Sequence, residues 1–475
     1  MVRIVVIALF TVVLVIVGAL GFAYHTAELP ALKVSEREPQ TFANLTVVNP
    51  GGRTLRHQTV SIDEGKITKI ERSSRAERSI ALRYALPGLI DLHTHGAFYE
   101  PDVELYNTLY LMHGVTTVRS LGGDRSVLDL KKRTEFGERI GPRMFGCGEI
   151  IDGPLGNWAS TNIEEPEEAK ELVAELVEEG ADCIKVFPNL SAKTFRAIRQ
   201  AATEAGLPLV GRMNNKLGIE GAALDDIQHL HGILDIVSPN VSADAVSVWT
   251  KQWSKGYDKD RLELTIRMAG VYNSAHTPAL VGIGYQAFHG NKNAVVRALP
   301  DLMPPWYRHV WGKMYYVQGK SERKTARKAL KKLLEVVGKL HKAKIPLHAG
   351  TDTGVDFTVP GRALHDELRL LVEAGLTPSE ALAAATLEAG KALGVEGLGV
   401  LAEGNPADMA IFLEDPTKDI DNLNTLDGVV VNGRFYSARS LKIHHRKQIK
   451  ESKTGVYRVV SEVMGPALGA ILGIF

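Results

Sequence analysis

The chain is predicted to be an α/β protein. The expected architecture is a (β/α)8 TIM-like barrel with a small β-sandwich domain formed from both chain ends, plus an N-terminal hydrophobic segment. Three observations predict it. Strand and helix patterns alternate over about 300 residues. Short strands with turn signals lie on both sides of that region. The apolar run Leu86-Pro87-Gly88-Leu89-Ile90-Asp91-Leu92-His93-Thr94-His95-Gly96 ends in two histidines spaced i, i+2, which a strand places on one face.

The elements follow in order. Residues 4–22 are an apolar run behind Arg3, long enough to span a bilayer. Residues 1–27 therefore read as a retained membrane anchor or a cleaved signal peptide. The lone Arg3 favours a cytoplasmic N-terminus, so the body is expected outside the cytoplasm, membrane-anchored or secreted, and periplasmic if bacterial. Residues 40–84 read as short strands broken at Pro50-Gly51-Gly52 and Asp63-Glu64-Gly65. Similar pieces within 395–440 complete the small domain, and 85–394 form the barrel.

Inside the barrel, Val115 to Val118 reads as a strand and Glu168 to Glu179 as an amphipathic helix. The strand Asp182 to Phe187 is followed by a helix from Ser191 to Ala205. Short strands are expected at Leu209 to Arg212, Asp226 to His229 and Val271 to Thr277. A long basic-faced helix covers Ser321 to Lys342, and Ile345 to Gly350 is the last strand. Two helices follow, one from about His365 and one capped by Thr377 with Pro378 at its first position. Residues 281–320, rich in Trp and Tyr, read as an insertion over the site or a packed excursion. Residues 441–475 form a basic stretch and an apolar tail too short to span a membrane. His444 and His445, beside Arg446 and Lys447, read as solvated.

A net charge of +1 argues against a nucleic-acid partner. Cys147 and Cys183 are the only cysteines, which excludes a disulfide scaffold and a Cys-rich zinc site. Cys183 lies in an apolar run and reads as a buried core thiol.

In a barrel of this kind chemistry gathers at the C-terminal ends of the strands. His93, His95, Lys185, His229 and Asp352 all stand at such ends. Taken singly, a histidine is more often a hydrogen-bonded core residue, a lysine usually snorkels to solvent, and Asp352 in Gly-Thr-Asp-Thr-Gly suits a turn. Their order on successive strands favours a shared role over coincidence.

The chain resembles the amidohydrolase superfamily, in the branch of imidazolonepropionase-like enzymes and Xaa-Pro or Xaa-Arg dipeptidases (prolidases). The resemblance covers about residues 42–435. It rests on residues 87–96, on His113-Gly114-Val115-Thr116-Thr117-Val118-Arg119, and on Gly180-Ala181-Asp182-Cys183-Ile184-Lys185. Asp225-Asp226-Ile227-Gln228-His229, Gly350-Thr351-Asp352, the run from Glu373 to Leu382, and Gly404-Asn405-Pro406-Ala407-Asp408 complete it. It implies a divalent metal, zinc by preference, held by His93, His95 and Asp352. It implies that Lys185, N-carboxylated by CO2, bridges to a second metal on His229. Asp352 would act as general base and then acid in hydrolysis of a C–N bond, in an amide or dipeptide substrate.

Two positions depart from the pattern. Arg212 stands where another metal-binding histidine is expected, and a guanidinium does not ligate metal. Arg212 then replaces the second metal, or Asn214, Asn215 or His231 supplies a substitute ligand, or the site binds metal poorly. In the last case the protein is a degenerate relative, a membrane-tethered binding protein. Ser120 stands where an aspartate is usual, which leaves Arg119 without its expected partner. Arg212, Thr277 and Tyr285 are the candidate substrate contacts, with His289 and Trp306 as weaker ones. A homo-oligomer is compatible with this reading.

Overall fold

Strand pairing in the computed structural model sorts the chain into three ladders. The structure describes residues 28–462 apart from 35, 97–101, 124, 155–159, 215–216, 218–220, 222, 235–242, 289–298, 308–319, 355–356 and 460. The apolar run 4–22, the tail 464–475, Asn215 and His289 lie outside the described residues.

The first strands are β1 (Gln40–Val48), β2 (Thr54–Asp63), β3 (Lys66–Arg72) and β4 (Arg83–Pro87). Gly65 turns the β2–β3 hairpin with φ +80°. Next come β5 (Leu89–Thr94), helix α1 (Val103–Met112), β6 (Val115–Ser120), α2 (Ser126–Glu135), β7 (Arg143–Gly146), β8 (Ile150–Asp152) and β9 (Thr161–Asn162). Helix α3 (Pro166–Glu179) opens with a capping box between Glu165 and Glu168 and stops at left-handed Gly180. It leads into β10 (Ile184–Val186), α4 (Ala192–Glu204), β11 (Leu209–Gly211) and β12 (Asp226–Gln228). Helices α5 (Ala243–Lys255) and α6 (Lys259–Tyr272) precede β13 (Ala275–Thr277). The strand expected from Val271 thus starts later, because α6 runs on to Tyr272 and ends at left-handed Asn273.

The chain continues through α7 (Val281–Phe288), α8 (Lys320–Lys342), α9 (Arg362–Glu373), α10 (Pro378–Ala384) and α11 (Leu387–Ala392). Apolar positions of α8 recur at Ala326, Ala329, Leu330, Leu333, Val336, Val337 and Leu340, and all are buried. The last elements are β14 (Met409–Phe412), β15 (Leu426–Val431), β16 (Arg434–Ser437) and α12 (Ala438–Glu451).

Both chain ends contribute to one seven-stranded sheet, in the order β16-β15-β14-β4-β1-β2-β3. The expected sandwich is therefore a single hydrogen-bonded sheet. Antiparallel pairing of β14 with β4 (Ala410 opposite Leu86) joins the two halves edge to edge. Its inner face buries Phe42, Leu45, Val60, Ile62, Met409 and Ile411 in a separate core.

The central strands are parallel. β5-β6-β7 form one ladder and β13-β12-β11-β10-β8-β9 another. They are not one closed sheet. The chain leaves its ladder between β7 and β8, and residues 345–353 join by isolated contacts. Leu347 bridges β13, Thr353 bridges Thr94, and Leu92 N donates to Ala349 O at 3.0 Å.

Two expectations fail here. Cys147 and Cys183 form a disulfide, so Cys183 is not a free thiol. Cys147 follows β7 and Cys183 precedes β10, and the two segments are neighbours in space with both sulfurs fully buried. His445 is buried and His444 half-buried, so neither is fully solvated. They lie on α12, where His445 Nε2 donates to Leu302 O at 2.8 Å and His444 Nε2 to Pro30 O at 3.0 Å.

Candidate active site

Four of the residues singled out in the sequence meet at one point. His93 ends β5 on its inner side and is fully buried. Asp352 follows the last parallel segment, and its backbone N donates to His93 O at 2.7 Å. Gly350 permits this approach: a Cβ there would lie 2.7 Å from His93 Cβ and 2.5 Å from Thr277 Cγ2. Asp352 Oδ1 lies 3.2 Å from His93 Nε2 and 2.9 Å from His95 Nε2. Its Oδ2 lies 3.7 Å from His229 Nε2. Ligand atoms of His93, His229 and Asp352 all fall within 4.8 Å of one another. His229, which the resemblance assigns to a second metal, lies within reach of this group.

The backbone is strained where it presents these groups. His229 has φ 54° and Asp352 φ 60°, in the left-handed region. Such conformations cost on the order of 1–3 kcal/mol each and persist only when neighbours impose them. Here His229 N donates to Thr277 O at 3.0 Å, and Asp352 N is tied to β5.

The donor set fits a divalent cation. Neither ring nitrogen of His93 has a hydrogen-bond partner, although both are buried. Burial pushes His93 down to about 4 and His229 well below its usual value, so both imidazoles are neutral near pH 7. His95 Nδ1 lies 2.8 Å from Gly122 O, which turns Nε2 towards Asp352 and the other ligand atoms. Burial alone would raise Asp352, but His93, His95 and His229 overcome it and hold the carboxyl well below its usual range. Three imidazoles and one carboxylate suit a borderline cation such as zinc.

Asp91 buttresses this corner. Its Oδ1 accepts from His93 N and Thr351 N at 3.2 and 3.1 Å, and its Oδ2 from Thr351 Oγ1 at 2.7 Å. Burial raises its carboxyl to about 7.

Lys185 and Arg212 stand to one side. Lys185 Nζ lies 5.6 Å from the centroid of the Phe187 ring, and the Arg212 guanidinium carbon lies 4.3 Å from the same centroid. Burial lowers Lys185 to about 7; Asp352 opposes the shift, and Arg212 and Arg119 reinforce it. Arg212 follows β11, whose Gly211 (φ +147°) lies so close to β10 that a Cβ would meet Val186 O at 2.0 Å.

The other named candidates make contacts of their own. Asn214 Nδ2 donates to Leu190 O at 2.8 Å. His231 is buried, which pushes it down to about 3, and its ring centroid lies 6.5 Å from that of His229. Thr277 Oγ1 donates to Asp226 at 2.8 Å, inside the ring of strands. The Tyr285 hydroxyl donates to Asp366 Oδ2 at 2.8 Å, and Trp306 Nε1 to the Tyr457 hydroxyl at 2.9 Å, so both are held by packing contacts.

The sequence reading missed a buried network. Arg119 does have a partner: its guanidinium pairs with Asp226 on β12, across the ring of strands. His348 Nδ1 lies 3.3 Å from the same carboxylate. Burial acts to raise Asp226, but Arg119 and His348 outweigh it and hold the carboxyl far below its usual range. Asp226 had been visible only as part of a motif. The inward alternation Asp226, Gln228 on a buried strand was the signal that could have placed it.

Comparisons with known proteins agree with this architecture. The model of the amidohydrolase family matches residues 84–436. An uncharacterized protein of Mycobacterium tuberculosis, Rv2915c, is 23% identical over 376 residues, covering 74% of this chain and 85% of that protein. Bottromycin amidohydrolase superposes with a TM-score of 0.73 at 22% identity, over 92% of this chain and 94% of that one. A prolidase complexed with N-methylphosphonate-L-proline superposes with a TM-score of 0.63 at 17% identity, over 84% of this chain and all of the other (100%). These neighbours imply a TIM-like barrel for the parallel strands, and the match across most of the chain shows that it belongs to the amidohydrolase family.

Proposed function

We propose that the protein is a metal-dependent hydrolase of a carbon–nitrogen bond, amide or dipeptide, working with one divalent cation in a TIM-like (β/α)8 barrel. The observation that carries this reading is the convergence of the unpartnered His93 ring with His229 and the ionised Asp352. His93, His95, His229 and Asp352 would hold the cation, zinc by the chemistry of the set. When bound, the cation supplies a Lewis acid for the carbonyl and lowers the pKa of water.

The protein's own groups do the rest. Asp352 Oδ2, the less crowded oxygen, accepts the proton of the attacking water and returns it to the leaving amine. Asp91 and Thr351 fix the backbone that aims His93 and Asp352. The depressed Lys185 amine supports N-carboxylation, which needs a neutral amine; a bridging role is disfavoured by the Arg212 charge on its other side.

The Cys147–Cys183 disulfide supports a site of action outside the cytoplasm, because buried disulfides persist in oxidising compartments. The apolar run 4–22 supports the same reading through an anchor or a signal.

The test is metal analysis of the purified protein with a screen of amides and dipeptides. The expected result is about one zinc per chain, lost in His93→Ala, with zinc-dependent release of an amine. Equal low metal in both proteins and no hydrolysis across the screen would sink the proposal.

A further inference from the structure

Arg212 is a cation without an anion of its own. Two carboxylates are close enough to act on it, Asp352 and Asp152. Both are already engaged. Asp352 is shared among three histidines. Asp152 Oδ1 accepts from Gly153 N and Asn189 N, each at 2.9 Å, and its Oδ2 from Asn189 Nδ2 at 3.0 Å. Among the described residues no hydrogen bond or ion pair reaches the Arg212 guanidinium, which lies over the face of Phe187. A guanidinium withdrawn from water and left unpaired is costly. Stacking recovers part of that cost while leaving the in-plane N–H groups unused.

The position is as informative as the lack of a partner. Arg212 follows β11, between the strands that carry Lys185 and lead to His229. It is only partly buried, so a molecule in the site can reach it. The Lys185 amine lies over the same ring. Asp152 acts on the guanidinium through its charge, but no hydrogen bond joins the two, so the donor edge of Arg212 is left open to the site. The planar guanidinium offers paired N–H donors, which match a carboxylate in two parallel hydrogen bonds.

We propose that Arg212, stacked on Phe187 beside the metal ligands, is the binding residue for a carboxylate carried by the substrate, so that the substrates are anionic amides: N-acyl amino acids or the carboxyl-terminal bond of a peptide. The proposal rests on the hydrolase reading for the word substrate, but the anion site can be measured without turnover.

The experiment uses the full chain, first chelator-treated and dialysed so that nothing is hydrolysed. Binding of a panel of N-acetyl amino acids and their methyl esters is measured by titration calorimetry. The acids should bind at least about 10-fold more tightly than their esters, the effect of one charge-assisted contact. Arg212→Met should abolish that difference, and Arg212→Lys should retain part of it. Equal binding of acids and esters by the wild type overturns the proposal even if the variants fail to fold. So does absence of acid binding across the panel, or a preference that survives in folded Arg212→Met. The zinc-loaded enzyme is then assayed on the same panel. Acid-selective binding with no hydrolysis leaves the anion site standing and removes the hydrolase reading. Hydrolysis of acids and esters with equal KM keeps the hydrolase and removes the anion site.

Discussion

The Cys147–Cys183 disulfide ties the end of β7 to the start of β10, and its removal has a calculable effect. The bond closes a loop of 36 residues, which removes roughly 13 cal/mol/K from the denatured chain, about 4 kcal/mol at 25 °C. Both sulfurs are fully buried against Leu121 and Val210, so a Cys147→Ala, Cys183→Ala double variant also loses packing, roughly 1 kcal/mol. Unfolding entropy near 2 cal/mol/K per residue gives about 1 kcal/mol/K for a chain this long, so the melting temperature should fall by about 5 °C. The assay is scanning calorimetry of oxidised, reduced and double-variant protein, with thiol titration in denaturant before and after reduction. Zinc content should stay unchanged, because His93, His229 and Asp352 stand on other strands. Two free thiols in the unreduced, denatured protein would refute the bond. A melting temperature unmoved by reduction would refute the loop argument.

Other perturbations have defined outcomes. Arg119→Met leaves the Asp226 carboxylate buried without its guanidinium; stability should drop by about 3–5 kcal/mol, read from denaturant midpoints. Glu367 on α9 is fully buried, and burial raises its carboxyl from 4.5 to about 8 while its Oε2 accepts from Val281 N. Its folded form holds a proton that the unfolded chain releases, so this contribution is complete below pH 4.5 and lost as pH rises to about 8. Glu367→Gln should therefore raise the melting temperature more at pH 9 than at pH 5; an equal change at both would contradict the shift. Arg212→His should lift bound zinc from about one towards two per chain, measured by mass spectrometry of metal content. A wild type already holding two would refute the single-cation reading.

The legible part of this molecule was the part written in strand ends. His93, His95, His229 and Asp352 each stand at or just after the end of a short strand-like run, and for His93 and His95 the period of two fixes a common side. Pairings between distant segments left no such trace. Arg119 and Asp226 are 107 residues apart, and nothing local to either marks the other as its partner. The cysteines illustrate the same limit: the number of cysteines was visible, but not that the segment after β7 meets the segment before β10, where Asp182 N donates to Gly146 O at 2.8 Å. His444 and His445 looked solvated because their neighbours are charged. His444 is held because residues following the apolar N-terminal run dock on α12, where Pro30 O accepts from both His444 and Gln448, and His445 is held by Leu302 O. Composition reports the exposed face of such a helix, whereas its other face is decided by whatever packs there.

Arg212 joins these two lessons. Its place in the sequence was legible as a departure from a histidine, and its meaning was not. A histidine at this strand end would add a neutral ligand, and a cation bound there would bring charge that a ligand set could neutralise. The arginine brings the charge permanently and offers only donors. The chain does not compensate with a new carboxylate. Asp152, an acid outside the metal set that acts on Arg212 by its charge, gives its oxygens to the N–H groups of Gly153 and Asn189, and Phe187 provides a face rather than an acceptor. The arginine therefore gains charge compensation from the chain without a hydrogen-bond acceptor for its in-plane N–H groups, and an acceptor for them has to come from what enters the site.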